Sequence, residues 1–504
     1  TIMFTKIQTL LTKPFLHWAA HRHQKHLQNP ENHQRRILKT LIKKAKNTNF
    51  GQIHNFSTIK NYTDFKKNVP IRTYEEFIPY INAIRAGTDN VLWPGQPVYW
   101  ATTAGTTAGS KYIPISRASL PHHIRSARNA LFHYATRTDN ATLLARHMLF
   151  LSGNSRLSMT SQVPTGRLSG IVNYHVPTYV SHQHLPSHDT NCIENWEEKI
   201  DQIVTETLTY RKHIGLIAGI PPWLQMYFDK LQERTGQKIK DILPHFSLLV
   251  HGGVNFSPYR QKLFDTIGQA VDTLETYPAS EGFIAWQDQT PDLGLLLQLH
   301  QDIFFEFVPT STYFTASPTR LWIDEVETGV DYALIISSSA GLWAYAIGDT
   351  VRFTSLNPYR IVVTGRVQHF ISAFGEHVIV EEVEKALEST LERYTEVRVT
   401  EFTVAPFVST TAGTPSCHEW LIEFSQAPEN MDVFASELDR QMCGLNPYYA
   451  DLIRGRVLGQ LRIVPLQAGV FYGYRKKENR LGEQNKVVRL ANDRKLADKL
   501  LGLR

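Results

Sequence analysis

The stretch Ala101-Thr102-Thr103-Ala104-Gly105-Thr106-Thr107-Ala108-Gly109-Ser110-Lys111-Tyr112-Ile113-Pro114-Ile115 packs small residues, hydroxyls and one lysine between apolar runs. Gly105 and Gly109 permit a turn tight enough to aim amide hydrogens inward, the threonines add hydroxyl donors, and Lys111 adds a positive charge. These are the parts of a phosphate cradle. It is not a Walker loop, because Tyr112 follows the lysine where a magnesium-binding Ser or Thr would be needed. A plain Thr/Gly turn between two strands is the competing reading. Val98-Tyr99-Trp100 reads as the strand that feeds the loop, and Ser119 to Ala135 as a helix beyond it. The expected order is therefore strand, loop, helix, a setting in which amides and a helix N-terminus hold phosphate oxygens.

Helical and strand-like periodicities interleave on both sides of this loop, which predicts a mostly α/β architecture. Residues 35 to 46 place Ile37, Leu38, Leu41, Ile42 and Ala45 on one helical face and six Lys and Arg side chains around the other. The apolar face lacks the Trp or Phe anchors of a membrane-surface helix, so it is read as docked on a core. Strands are expected at Ser247 to Val250, Ile303 to Val308, Tyr332 to Ser337, Trp343 to Ile347 and Ile361 to Thr364. After residue 366 the pattern resets: a helix from about Val380 to Tyr394, strands at 397–407 and 418–425, a helix at 430–443 and a strand near 460–465. The joint is placed at Gly365-Arg366-Val367-Gln368, giving a large multi-sheet unit over 1–366 and a small α+β unit over 367–504.

At 504 residues, with 42% hydrophobic and 20% charged content, the chain has a globular composition and room for about two or three domains. A net charge of +6 suits an anionic small substrate, and no basic stripe interleaved with aromatics indicates a nucleic acid partner. Cys192, Cys417 and Cys443 lie far apart and form no CxxC pair, which fits a reducing compartment. Lys13, Pro14 and His17 interrupt the apolar N-terminal stretch, and no run reaches the ~18 apolar residues of a membrane span, so a cytoplasmic monomer without a membrane partner is expected. His182, His184, His188 and Cys192 suggest zinc, yet their spacing is not that of a structural site and Pro186 breaks any helix that would align them.

Three further stretches carry chemistry. Tyr277-Pro278-Ala279-Ser280-Glu281-Gly282 cannot be an esterase elbow, because Pro278 stands where glycine is required. It still offers a ring, a hydroxyl and a carboxylate on one turn, a set suited to a base, a phosphate and a hard cation. Tyr345-Ala346-Ile347-Gly348-Asp349-Thr350-Val351-Arg352 puts a carboxylate just after a strand, where it can accept ribose hydroxyls or simply cap its own turn. Leu481 to Arg489 sets Lys486 among largely uncharged neighbours, a point charge for a carboxylate or phosphate whose charge grows during reaction.

These loops, in this order, resemble the acyl-adenylate-forming superfamily and, within it, the Gretchen Hagen acyl-acid amido synthetases of bacterial type. The likeness extends from Tyr62-Thr63-Asp64-Phe65-Lys66 and Val69-Pro70-Ile71-Arg72 through Val91-Leu92-Trp93-Pro94-Gly95 to Phe370-Ile371-Ser372-Ala373-Phe374-Gly375-Glu376-His377. The resemblance implies ATP-dependent activation of a carboxylic acid to acyl-AMP with release of pyrophosphate, then transfer to an amine, usually of an amino acid. By position it implies that Thr103, Gly105, Thr106, Thr107, Gly109, Lys111 and Ser280 hold the phosphates. Gly252, Gly253 and Tyr277 would border adenine, Asp349 and Arg366 would hold the ribose, and Glu281 would bind magnesium (Mg2+). Lys486 would reach in from the small unit as the catalytic lysine. Two positions depart from the pattern: Ala104 stands where serine is common, and Gln368 where a hinge Asp or Lys is usual.

An acyl pocket is expected along residues 150–172 and 216–227, with Arg156 as polar anchor and Trp223, Met226 and Tyr227 as apolar wall; ordinary core packing is the competing reading. Two other functions share the nucleotide chemistry: an acyl-CoA ligase, which changes only the acceptor, and a nucleotide-binding relative that no longer catalyses, which Ala104 would favour.

Overall fold

The computed structural model describes residues 14, 16, 21, 25, 27–106, 109–152, 155–175, 183–254, 256–367, 370–371, 373–376, 378–411, 414–477 and 487–502. Helix Pro30–Ala45 docks as its periodicity predicts: Ile37, Leu38, Leu41, Ile42 and Ala45 are buried while Arg35, Arg36, Lys39, Lys43 and Lys44 stay exposed. Gln34 on the same face is also buried. Its amide nitrogen donates to the carbonyls of Leu299 and Ile303, both at 2.9 Å, and its oxygen accepts the amide of Phe305 at 2.9 Å. One side chain thus pairs backbone groups at the edge strand Ile303–Pro309 that would otherwise lie open under the helix.

That strand begins an eleven-stranded sheet. From edge to edge it runs Ile303–Pro309, Asp331–Ser338, Tyr345–Leu356, Tyr359–Arg366, Leu295–Leu297, Gly282–Trp286, Asp272–Ala279, Leu248–Gly252, Ile214–Ala218, His147–Phe150 and His184–Leu185. The first half is antiparallel, built from hairpins. The second half, from Asp272–Ala279 onward, is parallel. Strand Ile214–Ala218 is apolar at every position because both its faces are covered, among others by helices Trp196–Tyr210 and Pro221–Thr235. Parallel strands all end on the same side, so their C-terminal ends open one crevice.

The opening loop departs from the expected order. Gly109–Ile115 returns as a strand, antiparallel to Tyr99–Thr106, with Thr103 opposite Lys111 and Thr106 opposite Gly109, and the helix begins only at Leu120. Ile113, Pro114 and Ile115 are all buried, and the pairing of residues 111–115 with 99–103 is one that a helix could not make. Pro114 is tolerated because this strand is the edge of a four-stranded sheet completed by Val163–Gly166 and Ser158–Thr160. The glycine loop is the tip of a hairpin.

Beyond Arg366 the chain forms a two-stranded ribbon, helix Val380–Leu391 and a three-stranded sheet of Arg398–Phe407, Cys417–Gln426 and Arg462–Leu466, backed by helix Met431–Leu445. Among the described residues no helix is long and apolar enough to cross a membrane.

Candidate active site

The parallel strands deliver their C-terminal ends to one crevice, and the turns beyond Leu248–Gly252 and Asp272–Ala279 are chemically loaded. Leu248–Gly252 ends in the pair Gly252-Gly253, directly beside Asp272–Ala279, with Gly252 opposite Thr276. A Cβ on Gly252 would lie 2.1 Å from the Thr276 carbonyl oxygen, and Gly253 has φ +81°, so no side chain fits at the first and the second favours glycine. Asp272–Ala279 turns back through Ser280 and Glu281 into Gly282–Trp286, pairing Ala279 with Gly282. This hairpin turn replaces the elbow that Pro278 excludes.

Glu281 is only 8% exposed, and Oε1 accepts the hydroxyl of Tyr345 at 3.3 Å. Burial raises its carboxyl above the ordinary range, with Lys111 opposing the rise. Lys111 is affected in the complementary way: burial lowers its ammonium, Glu281 and Asp349 oppose the fall, and Arg366 reinforces it. The ammonium sits 5.4 Å from the ring centre of Tyr74, whose hydroxyl accepts the amide of Tyr112 at 2.7 Å. A partly desolvated cation on the hairpin strand and a buried carboxylate on the turn thus act on each other.

Asp349 is aimed by a bulge. Ala346 pairs with Ile335 while Thr350 pairs with Ala333, so strand Tyr345–Leu356 carries extra residues at 347–349. Gly348 takes φ +93°, and the space its missing side chain leaves lies 3.8 Å from the Arg366 guanidinium. Arg366 Nε donates to Asp349 Oδ1 at 2.5 Å, and the Tyr277 hydroxyl donates to Oδ2. Burial and then Asp349 hold the Tyr277 phenol well above its usual range, so it stays a neutral donor. Burial would lower Arg366, but Asp349, with Tyr277 and Glu281 adding to it, raises the guanidinium on balance.

The structure therefore brings together Lys111, Tyr277, Glu281, Asp349 and Arg366, with Gly252 and Gly253 alongside. Thr103 lies on the strand leading to the hairpin tip, while Gly105, Thr106 and Gly109 are described in backbone only. Thr107, Gln368 and Lys486 lie outside the described residues. The acyl-pocket set separates. Tyr227 is fully buried with its hydroxyl 2.9 Å from Thr207 Oγ1, because helix Pro221–Thr235 turns Leu224, Tyr227, Phe228 and Leu231 into the core. Its surroundings are those of the competing reading, core packing. Arg156 is an exposed residue whose Nη1 meets Glu194 Oε1 at 3.0 Å, so the expected polar anchor is drawn to the surface. Trp223 and Met226 pack on the same apolar cluster as Tyr227. In the histidine stretch His184 stacks on Phe150 and His188 Nε2 is 3.6 Å from Cys192 Sγ, while His182 lies outside the described residues.

Tyr345 and Ile220 were not singled out from the sequence. Tyr345 has only the signal of standing on the strand that carries Asp349, since the extra residues at 347–349 break any alternation between the two. Ile220 has none, since its partners, Gly253 and Gly375, are remote in sequence.

The GH3 family N-terminal domain matches residues 19–173, its central domain residues 296–366 and its C-terminal domain residues 381–495, together more than half of the chain. The chain belongs to the GH3 family. The jasmonoyl-L-amino acid synthetase JAR4 of Nicotiana attenuata is 20% identical to this GH3 protein over 382 residues, 63% of the chain. The match spans 66% of that relative's length. Among solved structures, AtGH3.15 acyl acid amido synthetase in complex with 2,4-DB has a TM-score of 0.60 at 17% identity, covering 96% of this chain and 95% of that one. A 2-hydroxyisobutyryl-CoA ligase in complex with 2-HIB-AMP and CoA has a TM-score of 0.59 at 12% identity, covering 96% and 93%. The GH3 protein therefore has the fold of the acyl-adenylate-forming enzymes.

Proposed function

We propose that this GH3 protein is an ATP-dependent, AMP-forming ligase that activates a carboxylic acid as acyl-AMP and passes the acyl group to an amine, an amino acid being the preferred class. The observation that carries the reading is the convergence of Glu281, Lys111, Asp349, Arg366 and Tyr277 at the crevice where the parallel strands end, beside the glycine hairpin.

Each group has a part set by what it can hold. Asp349 keeps lone pairs on both oxygens after accepting from Arg366 and Tyr277, and these accept the two ribose hydroxyls. Gly252 and Gly253 leave a flat edge for the base. The hairpin amides and Lys111 hold the phosphates, so that charge passing to pyrophosphate meets donors already in place. Glu281 suits a magnesium ion: it is a buried carboxylate with one oxygen on Tyr345 and its charge disfavoured until a cation arrives. That ion supplies charge neutralisation for the phosphates when bound. The substrate carboxylate oxygen attacks the α-phosphorus, the bond to the bridging oxygen breaks, and pyrophosphate leaves. An amine then attacks the acyl carbon, AMP leaves, and the amine proton passes to solvent or a base. Lys486, carried by the unit that starts at residue 367, is assigned to the carboxylate and α-phosphate in the first step, and that unit rotates between the two steps.

The test is a product assay with a panel of acids, Mg2+ and ATP, offered amino acids or coenzyme A. Amides and AMP support the reading. Thioesters alone would reassign the acceptor. Lys486→Ala should slow pyrophosphate release by about a hundredfold while ATP still binds; unchanged release removes the lysine from the mechanism.

A further inference from the structure

One buried acid–imidazole pair joins the small unit to the rim of the nucleotide site. Glu376, at the end of Ala373-Phe374-Gly375-Glu376, and His418, on strand Cys417–Gln426, are both 0% exposed. His418 Nε2 lies 2.8 Å from Glu376 Oε1. One hydrogen bond thus ties the ring to the carboxyl group. Among the described residues Nδ1 is buried with no hydrogen-bond partner. The other carboxylate oxygen, Oε2, accepts the amide of Phe374 at 2.9 Å, so Glu376 folds its own loop and hangs that loop on His418.

The imidazole is fixed in turn. The ring of Tyr449 packs on it with centroids 5.0 Å apart, and the Tyr449 hydroxyl donates to Asp439 Oδ1 at 2.6 Å. From the large unit, the Tyr259 hydroxyl donates to the carbonyl of Ala373 at 2.9 Å. The loop between these anchors meets Ile220. Gly375 has φ +94°, and a Cβ there would lie 3.1 Å from Ile220 Cδ1. Ile220 Cγ2 lies 3.5 Å from where a Cβ on Gly253 would be. Ile220 is thus a wedge between the loop that His418 holds and the glycine proposed to border adenine.

Burying two polar groups this completely is costly, and such a pair is weak evidence for added stability. Its place in the chain of contacts accounts for it better. We propose that Glu376 and His418 are positioning residues of the nucleotide site: they set the height of loop 373–376, hence Ile220 and Gly253, and so make the shape of the adenine pocket depend on how the small unit is seated. This rests on the nucleotide-site reading above.

The experiment measures ATP binding to the full chain by calorimetry, without acid, well below each variant's own melting midpoint, together with KM for ATP and kcat in acid-dependent pyrophosphate exchange. His418→Leu should weaken ATP binding about tenfold and raise KM for ATP more than it lowers kcat. His418→Gln, which returns a hydrogen-bonding amide near the position of Nε2, should bring affinity back to within about threefold of the parent. A His418→Leu protein that melts earlier but binds ATP as the parent does would overturn the proposal. Should that variant fail to fold, Gly375→Ala strains the left-handed backbone of the same loop and presses on Ile220, and should also weaken ATP binding; unchanged affinity there overturns it equally. A parent chain that binds no ATP would instead bring down the nucleotide-site reading itself.

Discussion

Asp349→Asn removes one charge from a side chain whose two oxygens are both in use, one by Arg366 Nε at 2.5 Å and one by the Tyr277 hydroxyl. Asparagine can offer its oxygen to one of these donors and must turn its NH2 toward the other. Breaking a fully buried ion pair costs about 3–5 kcal/mol. Here the side chains are 14% and 28% exposed, so water reaches the damaged site and about 1–3 kcal/mol is the expected loss of stability. The nucleotide suffers separately. A hydrogen bond to a charged group contributes about 1.5–3 kcal/mol, and two ribose hydroxyls depend on this carboxylate in the proposed site. Asparagine keeps one good acceptor, so KM for ATP should rise about 10- to 100-fold; Asp349→Ala keeps none and should cost about 100- to 1,000-fold. The assay is acid-dependent exchange of labelled pyrophosphate into ATP at varied ATP, with thermal melting of each variant alongside. If Asp349→Asn melts earlier yet leaves KM for ATP within about twofold, the carboxylate is a structural anchor for Arg366 and the ribose assignment is wrong.

Two other outcomes are expected from the same geometry. Glu281→Gln keeps the size and the acceptor for Tyr345 but loses the charge a divalent cation needs; exchange should fall about a hundredfold and respond only to much higher Mg2+, whereas an unchanged Mg2+ dependence would remove Glu281 from the metal role. Burial, reinforced by Arg260, pushes the imidazole of His251 down to about 3. The folded chain binds that proton less tightly than the unfolded one, so this contribution is complete above the unfolded value of about 6.5 and is lost as pH falls below it, by about 2 kcal/mol at pH 5. His251→Leu should therefore show a shallower drop in melting midpoint between about pH 7 and pH 5, and parallel slopes for parent and variant would refute it.

Much of the fold was legible because local periodicity and burial agree. The helix at residues 30–45, the apolar strand at 248–252 and the helix–strand order after residue 380 all bury the faces their sequences mark. The strand after the glycine loop was legible only as the competing reading of a turn between two strands, because the Gly105 to Ser110 stretch carries no periodicity and Ile113, Pro114 and Ile115 are buried without alternation. In the site, Glu281, Asp349 and Lys111 could be singled out by residue type and turn context. The contacts they make could not. Tyr277 reaches Asp349 across 72 positions of sequence and Gln34 reaches the sheet edge across 269, contacts that depend on strand order and a bulge. Tyr227 shows the converse: its type suited a pocket wall, but the helical face it shares with Leu224 and Leu231 belongs to the core.

The most direct test of the central claim is ATP–pyrophosphate exchange by the intact chain across a panel of carboxylic acids. Formation of acyl-AMP at the Glu281–Lys111–Asp349 cluster requires label to enter ATP only when Mg2+ and a suitable acid are both present. Label that enters without acid, or a chain that binds ATP yet exchanges with no acid in a broad panel, would contradict it.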